Sequence, residues 1–399
     1  MISAQQKPLL ANLPFLGLLA ANTILGAALP LLIILGGLAG LALAPSPALA
    51  TLPPSIQIFA GFVVTGPFSL LMGRQGRRFG FVVGAVTAMI GGALGVLALF
   101  WSSFALLCLA HAFTGAALAC YLYFRFAAAE VVAPQWQPVA ISLMLTSGLI
   151  AALIGPEIFI RTKDSFAQVP LAGAYASIVV LSLVGVLPLA FVKLPPPASA
   201  GGRAGLDRGA LVLVLRSRPV FAAIVIGAVS QGIMVLLMAP TPLAMTAHGH
   251  SDVLASDVVR WHVVAMFAPS FVTGFLIKRF GTVPIVATGL IFLICAAAVA
   301  ASGLSLHHFY AALIVLGIGW NFSFIGATDL LARAVAAEDR AVVQGLNDTA
   351  VALASTICVF GSGAIVTGLG WSILSLSAVP ILTVALVWVI AIGRQLAEA

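Results

Sequence analysis

The chain has 399 residues, of which 62% are hydrophobic and 7% charged, with a mean hydropathy of +1.19 and a formal net charge of +7. No soluble protein of this size has use for so much apolar surface, and apolar stretches of about 20 residues recur along the whole length, which describes a polytopic helical membrane protein. β-Barrel alternation is absent, no G-x-x-x-x-G-K-[ST] loop is present to bind ATP, and the basic excess is a topology signal that leaves nucleic acid without a role.

About twelve spans are expected, near 10–42, 51–73, 81–101, 103–130, 138–160, 169–192, 220–247, 253–278, 284–303, 306–333, 342–367 and 370–393. Met1–Leu9 leads straight into the first of them, and no cleavable leader is expected. Of the 18 Lys and Arg, fourteen fall on one side of this layout and two, Arg161 and Lys163, on the other, while Arg125 and Arg260 lie within or at the edge of spans. The positive-inside rule then puts both termini in the cytoplasm. Residues 1–192 form a first six-helix bundle. The stretch 193–219, with Pro195-Pro196-Pro197, Gly201-Gly202 and five basic residues, reads as a cytoplasmic linker, and 220–399 form a second bundle.

The halves echo each other. Arg77-Arg78-Phe79-Gly80 follows the second span and Lys278-Arg279-Phe280-Gly281 the eighth, while Arg125 and Glu130 at the end of span four correspond to Arg333 and Glu338 at the end of span ten. The offsets, 201 and 208 residues, agree closely enough for a parallel duplication of six spans. On these residues the chain resembles the major facilitator superfamily over essentially its full length. Arg74-Gln75-Gly76-Arg77-Arg78 is similar to the R-x-G-R-R core of that family's loop signature, and Gly155-Pro156 to its kink in span five. The signature's acidic residue falls at Gly73 and its leading glycine at Ser69, so the usual gating acid is missing. The resemblance implies an all-α fold of twelve transmembrane helices in two halves, sufficient as a monomer in the lipid bilayer, and no enzyme.

Chemistry concentrates on spans seven and eight. Met234/Met238 and His262/Met266 are i,i+4 pairs, each on one helical face. His250 is the midpoint: Met238 and His262 lie twelve residues either side, Met234 and Met266 sixteen. An antiparallel hairpin turning at Ala247–Ser251 sets Met238 level with His262 and Met234 level with Met266. Three thioethers and one imidazole suit Cu(I) and hold hard ions poorly. They add no charge, and only the His makes binding acid-sensitive. A single Met pair is more often packing, but an intramembrane His is costly to bury without a role. Met245, His248, His250 and Asp252 could collect an ion at the outer mouth or form a solvated loop; His307-His308 reads as loop and His111 as a packed, hydrogen-bonded His.

The paired motifs resemble those of the CcoA-like copper importers, a branch of the same superfamily with M-x-x-x-M in span seven and H-x-x-x-M in span eight. The resemblance implies Met234, Met238, His262 and Met266 as ligands of copper, a transported substrate and no cofactor. It implies import across a bacterial cytoplasmic membrane, feeding assembly of a cbb3-type cytochrome c oxidase. A sister group on the same scaffold carries riboflavin. Two other readings stand beside copper import: a carrier of an organic solute such as riboflavin or a drug, and an assembly factor or sensor that binds copper without moving it.

The remaining intramembrane and edge charges divide into expected gate charges and coupling candidates. Arg74, Arg77, Arg78, Arg125 with Glu130, and Arg333 with Glu338 read as gate charges; Asp329 and Arg333 are an i,i+4 pair expected to neutralise each other. Glu157 and Asp348 are the candidates for a proton-coupling carboxylate. Gln231, Asn321 and Asn347 either line a cavity or bond between helices. Cys108, Cys120, Cys295 and Cys358 form no C-x-x-C pair and read as small packing residues.

Overall fold

A computed structural model describes residues 11–133, 136–192, 194, 217–335, 340–391 and 393. The expected linker at 193–219 lies almost wholly outside them, as does Glu338. The chain divides into two compact units, Met1–Ser46 with Leu52–Gly202, and Pro47–Thr51 with Arg203–Ala399.

The first unit holds α1 (Leu13–Gly26), α2 (Ala28–Leu43), α3 (Leu52–Gln75), α4 (Arg77–Phe100), α5 (Phe104–Tyr121), α6 (Phe124–Glu130), α7 (Gln137–Thr162) and α8 (Ala172–Ala190). The second holds α9 (Arg218–Met238), α10 (Thr241–Ala247), α11 (Asp252–Phe267), α12 (Ser270–Phe280), α13 (Thr282–Ser302), α14 (Leu306–Ala334), α15 (Arg340–Gly368) and α16 (Trp371–Ala391). Among the described residues, eleven segments are helical, long and apolar enough to cross a membrane. The remaining expected span, 138–160, is the 26-residue helix α7.

Proline sets the breaks within spans. Pro30, Pro240 and Pro269 lack the N–H that would reach four residues back, so the first span divides into α1 and α2, the seventh into α9 and α10, and the eighth into α11 and α12. Glycine sets the tight turns between spans. Gly76 (φ 91°) separates α3 from α4 and Gly281 (φ 89°) separates α12 from α13, a backbone region that L-side chains avoid.

The duplication expected from the sequence is visible in the packing of each unit. α4 lies on α5 and α8 as α13 lies on α14 and α16, and α3 lies on α5 as α11 lies on α14. In the second unit α14 is the hub, touching α9, α11 and α13. Its small residues Gly317, Gly319, Ser323 and Gly326 are all buried and let neighbouring backbones approach.

Candidate functional site

The Met234/Met238 pair and the His262/Met266 pair lie on two helices that share α14 as a neighbour. Met234, Met238, His262 and Met266 are all buried. α9, with its Met pair, and α11, with its His/Met pair, each pack on α14, while their contact with one another is slight at most. This corrects the simple hairpin expected from the sequence. The turn itself falls at 248–251 as expected, since α10 is the outer part of span seven beyond the break at Pro240. What differs is the packing, in which α14 is the neighbour that α9 and α11 share.

A stripe of α14 at i,i+4 spacing holds the His/Met side. The Nδ1 of His262 donates to the Leu313 carbonyl at 2.7 Å. A carbonyl only accepts, so the proton is on Nδ1 and the Nε2 lone pair is free. That Nε2 is buried and has no hydrogen-bond partner among the described residues. One turn on, Gly317 meets the α11 backbone so closely that a Cβ there would lie 2.8 Å from the His262 carbonyl oxygen and 2.9 Å from the Met266 nitrogen. A further turn on, the Nδ2 of Asn321 donates to the Met266 carbonyl and to Ser270 Oγ, both at 2.7 Å, and its Oδ1 accepts from Thr273 Oγ1 at 2.6 Å. Asn321 thus bridges the break at Pro269 with a hydrogen bond to each side, so the interhelical alternative holds for it.

On the Met-pair side, Gln231 shares the face of Met234 and Met238, and its Oε1 accepts from Trp320 Nε1 on α14 at 2.7 Å. Trp320 in turn stacks on Phe324 at 5.0 Å and meets Phe267 edge-on at 6.2 Å. Among the described residues no three His, Cys, Asp or Glu side chains gather to hold a metal ion. The soft donors on α9 and α11 are thioethers and one imidazole.

Nearer the loop, Met245 is buried, His248 Nδ1 donates to the Ala244 carbonyl at 2.7 Å and His250 Nε2 to the Leu304 carbonyl at 2.9 Å. Ser251 caps α11, its Oγ accepting from the Leu254 nitrogen, Asp252 in the first turn accepts from the Val253 nitrogen, and His308 Nδ1 bonds Ser305 Oγ. In the first unit His111 is fully buried between Gln57 Oε1 and the Tyr175 hydroxyl, each at 2.8 Å, which is the packed and hydrogen-bonded His expected. Cys120 Sγ donates to the Gly80 carbonyl; all four cysteines are free thiols.

The charges pair differently from the sequence pattern. Glu130 takes Arg77, not Arg125: the Arg77 guanidinium reaches both carboxylate oxygens, the closest at 2.8 Å. Arg125 instead lies over the Phe126 ring at 4.8 Å. Five residues along a helix put Arg125 and Glu130 on different faces, which is why their adjacency in sequence does not become a contact. Arg74 and Arg78 are exposed. Asp329 and Arg333 do pair, at 2.9 Å, and Asp329 also accepts from Thr282 Oγ1 at 2.6 Å. Glu157 pairs with Arg161 at 2.6 Å near the end of α7, and Asp348 is exposed on α15 beside Asn347. A carboxylate passed over in the sequence is Asp257 on α11, which accepts from Arg260 at 3.1 Å and from the Tyr310 hydroxyl at 2.5 Å. Its i,i+3 spacing to Arg260 was the available signal.

A family model described as Major Facilitator Superfamily matches residues 15–357. The chain is 36% identical over 359 residues to the riboflavin transporter RfnT of Brucella anthropi, covering 90% of each. It is 31% identical to an MFS-type transporter, YddS, of Bacillus subtilis, covering 82% of this chain and 79% of that one. Among solved structures it superposes on the nucleoside transporter NupG with a TM-score of 0.71 at 15% identity, over 96% of this chain and 99% of that one. On a D-xylose-proton symporter the TM-score is 0.70 at 14% identity, over 93% and 96%. These last two likenesses speak to the fold alone.

Proposed function

The chain belongs to the Major Facilitator Superfamily, a family of transporters and not enzymes, and on that premise we propose that its cargo is copper, carried as Cu(I) into the cell across a bacterial cytoplasmic membrane. The observation that carries this reading is the buried Nε2 of His262. A nitrogen lone pair sealed inside protein with no donor opposite it costs free energy, and a soft cation is a partner that repays it. The bond from Nδ1 to Leu313 fixes the tautomer and aims the ring, as second-shell bonds do at metal sites. Met266 on the same face of α11, and Met234 and Met238 on α9, which also packs on α14, would supply thioethers without charge. Such a neutral set of few ligands can pass an ion from one layer to the next and release it, where a closed thiolate cage would hold it.

A second reading has its own support. Kinship along the whole chain favours a carrier of an organic solute, since the relative at 36% identity is a riboflavin transporter. The Gln231–Trp320 bond and the rings of Phe267 and Phe324 would serve a planar, hydrogen-bonding solute. Kinship thus favours this second reading over copper, and in it the His262 lone pair would accept a hydrogen bond from a solute N–H or O–H.

The deciding experiment is radioactive copper accumulation in cells lacking their own importer, with wild-type, His262→Leu and Met234→Leu proteins at matched levels. Accumulation by the wild type alone is expected. Equal background in all three, with riboflavin uptake by the wild type, would transfer the assignment to the organic solute. Copper bound by the purified protein but not accumulated in sealed vesicles would make it a sensor or assembly factor.

A further inference from the structure

An apolar groove of about 450 Å³ runs between α9 and α16 in the second unit and shares no lining residue with the candidate site. Val225 and Val229 of α9 line it with Pro380, Ile381, Val384 and Trp388 of α16. Phe221 and Trp388 meet edge-on at one end, their centroids 6.1 Å apart. Phe221, Ile381 and Val384 are exposed, so the groove is open at the surface. Arg218, Phe221, Val225 and Val229 stand at positions i, i+3, i+7 and i+11 of α9 and therefore lie on one face. Arg218, also exposed, continues that face one turn beyond the Phe221–Trp388 pair.

The equivalent place in the first unit is closed. There glycines draw α1 and α8 together: a Cβ on Gly185 would lie 2.5 Å from Leu25 Cδ2, and one on Gly17 would lie 2.3 Å from Val192 Cγ2, just past the end of α8. α9 and α16 instead present valines to each other, and Pro380 inside α16 has no N–H for the Leu376 carbonyl, a placement that kinks a helix. The second half of the duplication thus keeps open a slot that the first half fills. Water gains nothing from such a lining, and a helix about 10 Å across is too wide for the end where Phe221 and Trp388 meet. In a bilayer the filler of matching width and polarity is an acyl chain. The Arg218 end is basic: Arg203, Arg208, Arg216 and Arg218 precede or open α9, against Asp207 alone. The start of α9 adds the positive end of a helix dipole, and basic clusters beside a transmembrane helix attract anionic headgroups.

We propose that the groove between α9 and α16 is a binding site for an anionic phospholipid. One acyl chain lies along Val225 and Val229 and fills the space beside Pro380, and the headgroup phosphate meets the Arg218 guanidinium, whose paired N–H groups match phosphate oxygens. Apolar groove and basic end select together: the first accepts any acyl chain, and the second requires a negative headgroup. The proposal does not depend on which cargo is carried.

The test reads Trp388. The full-length protein is reconstituted in phosphatidylcholine vesicles doped with either phosphatidylglycerol or phosphatidylcholine bearing brominated tails, since bromine quenches tryptophan fluorescence on contact. The Trp388 signal is the difference between the wild type and Trp388→Phe. Brominated phosphatidylglycerol should half-quench that signal at an about fivefold lower mole fraction than brominated phosphatidylcholine, the factor that corresponds to about 1 kcal/mol for one arginine at an anionic surface. Arg218→Gln, at an exposed position that the fold does not need, should bring the two lipids level, and Arg218→Lys should keep the preference. Val225→Phe, which fills the groove and leaves Arg218 in place, should also abolish it. The proposal is overturned if both lipids quench the wild type alike, as bulk bilayer would, or if Arg218→Gln keeps the full preference. A preference that survives Val225→Phe would place the lipid outside the groove and overturn it too. Quenching by neither lipid would mean that another occupant, such as a second copy of the chain, covers the groove.

Discussion

One hydrogen bond of 2.7 Å from His262 Nδ1 to the Leu313 carbonyl decides what His262 can do. It removes one ring nitrogen from play and leaves the other as a buried lone pair. Because Leu313 contributes its backbone, the bond survives most changes of the Leu313 side chain, so the ring is oriented by the position of α14. A soft monovalent ion should therefore bind the purified protein and stabilise it. Silver, which matches the same ligands, should raise the midpoint of thermal unfolding in detergent; at a hundred times the dissociation constant the gain is about 2.7 kcal/mol. His262→Leu should show no such rise, and sodium or magnesium should give none in either protein. A silver-induced rise that persists undiminished in His262→Leu would remove the imidazole from the site.

At Gly317 the backbones of α14 and α11 lie close together beside two candidate ligands. Adding a Cβ would bring it within 2.9 Å of the Ala265 side chain and of the Met266 nitrogen. The backbone of α11 cannot yield as a flexible side chain would, so the helices must part. Gly317→Ala should cost about 1–3 kcal/mol of stability, the range for overpacked cores, and displace His262 and Met266 together. Thermal unfolding and cargo uptake should both fall. A variant of wild-type stability and uptake would mean that α14 and α11 have slack that the close approach does not show.

Much of the fold was legible in the sequence, for physical reasons that also mark where legibility ends. Spans announce themselves by apolar length, and the doubled Arg-Arg-Phe-Gly and Lys-Arg-Phe-Gly turns announce the repeat, because a membrane helix satisfies its own backbone and each span can be read locally. The Asp329–Arg333 pair was equally readable, being local to one helix. Pairing across helices was not. Arg77 finds Glu130 from 53 residues away, which only the packing of α4 near α6 decides. The two i,i+4 pairs could be named from spacing, but not their arrangement. The turn falls where the sequence puts it, but α14, distant in sequence, is the element both motifs pack against. Asp257 was passed over because its partner Tyr310 lies on that same distant helix.

The Arg77–Glu130 pair offers a test of how much a gate charge contributes within one half. The guanidinium meets both carboxylate oxygens, but the side chains are 24% and 40% exposed. Solvent then screens much of the attraction, and the coupling energy in a double-mutant cycle of Arg77→Ala and Glu130→Ala should be about 0.2–1 kcal/mol. It should shrink further in high salt. Arg125→Ala in the same cycle should give no coupling to Glu130. Coupling between Arg125 and Glu130 as large as that of Arg77 would restore the pairing suggested by sequence adjacency.

Asn321 should be the least replaceable polar residue beside the His/Met pair. It is fully buried, and its amide serves the Met266 carbonyl, Ser270 and Thr273 across the break at Pro269. Asn321→Leu fills the space but leaves the Met266 carbonyl without that partner, at about 1–3 kcal/mol for a buried group left unsatisfied, while the Thr273 hydroxyl keeps the Pro269 carbonyl as an acceptor at 2.8 Å. Because the carbonyl belongs to a candidate ligand, the loss should also raise the cargo concentration needed for half-maximal uptake. Thr273→Val removes only one hydroxyl, and in the Asn321→Leu background it should cost less than it does alone, since the bond across the break is already gone and only the one to the Pro269 carbonyl of its own helix is left to lose. Additive costs from the two changes would show that Asn321 and Thr273 act independently, and that the amide does not hold the two sides of the break together.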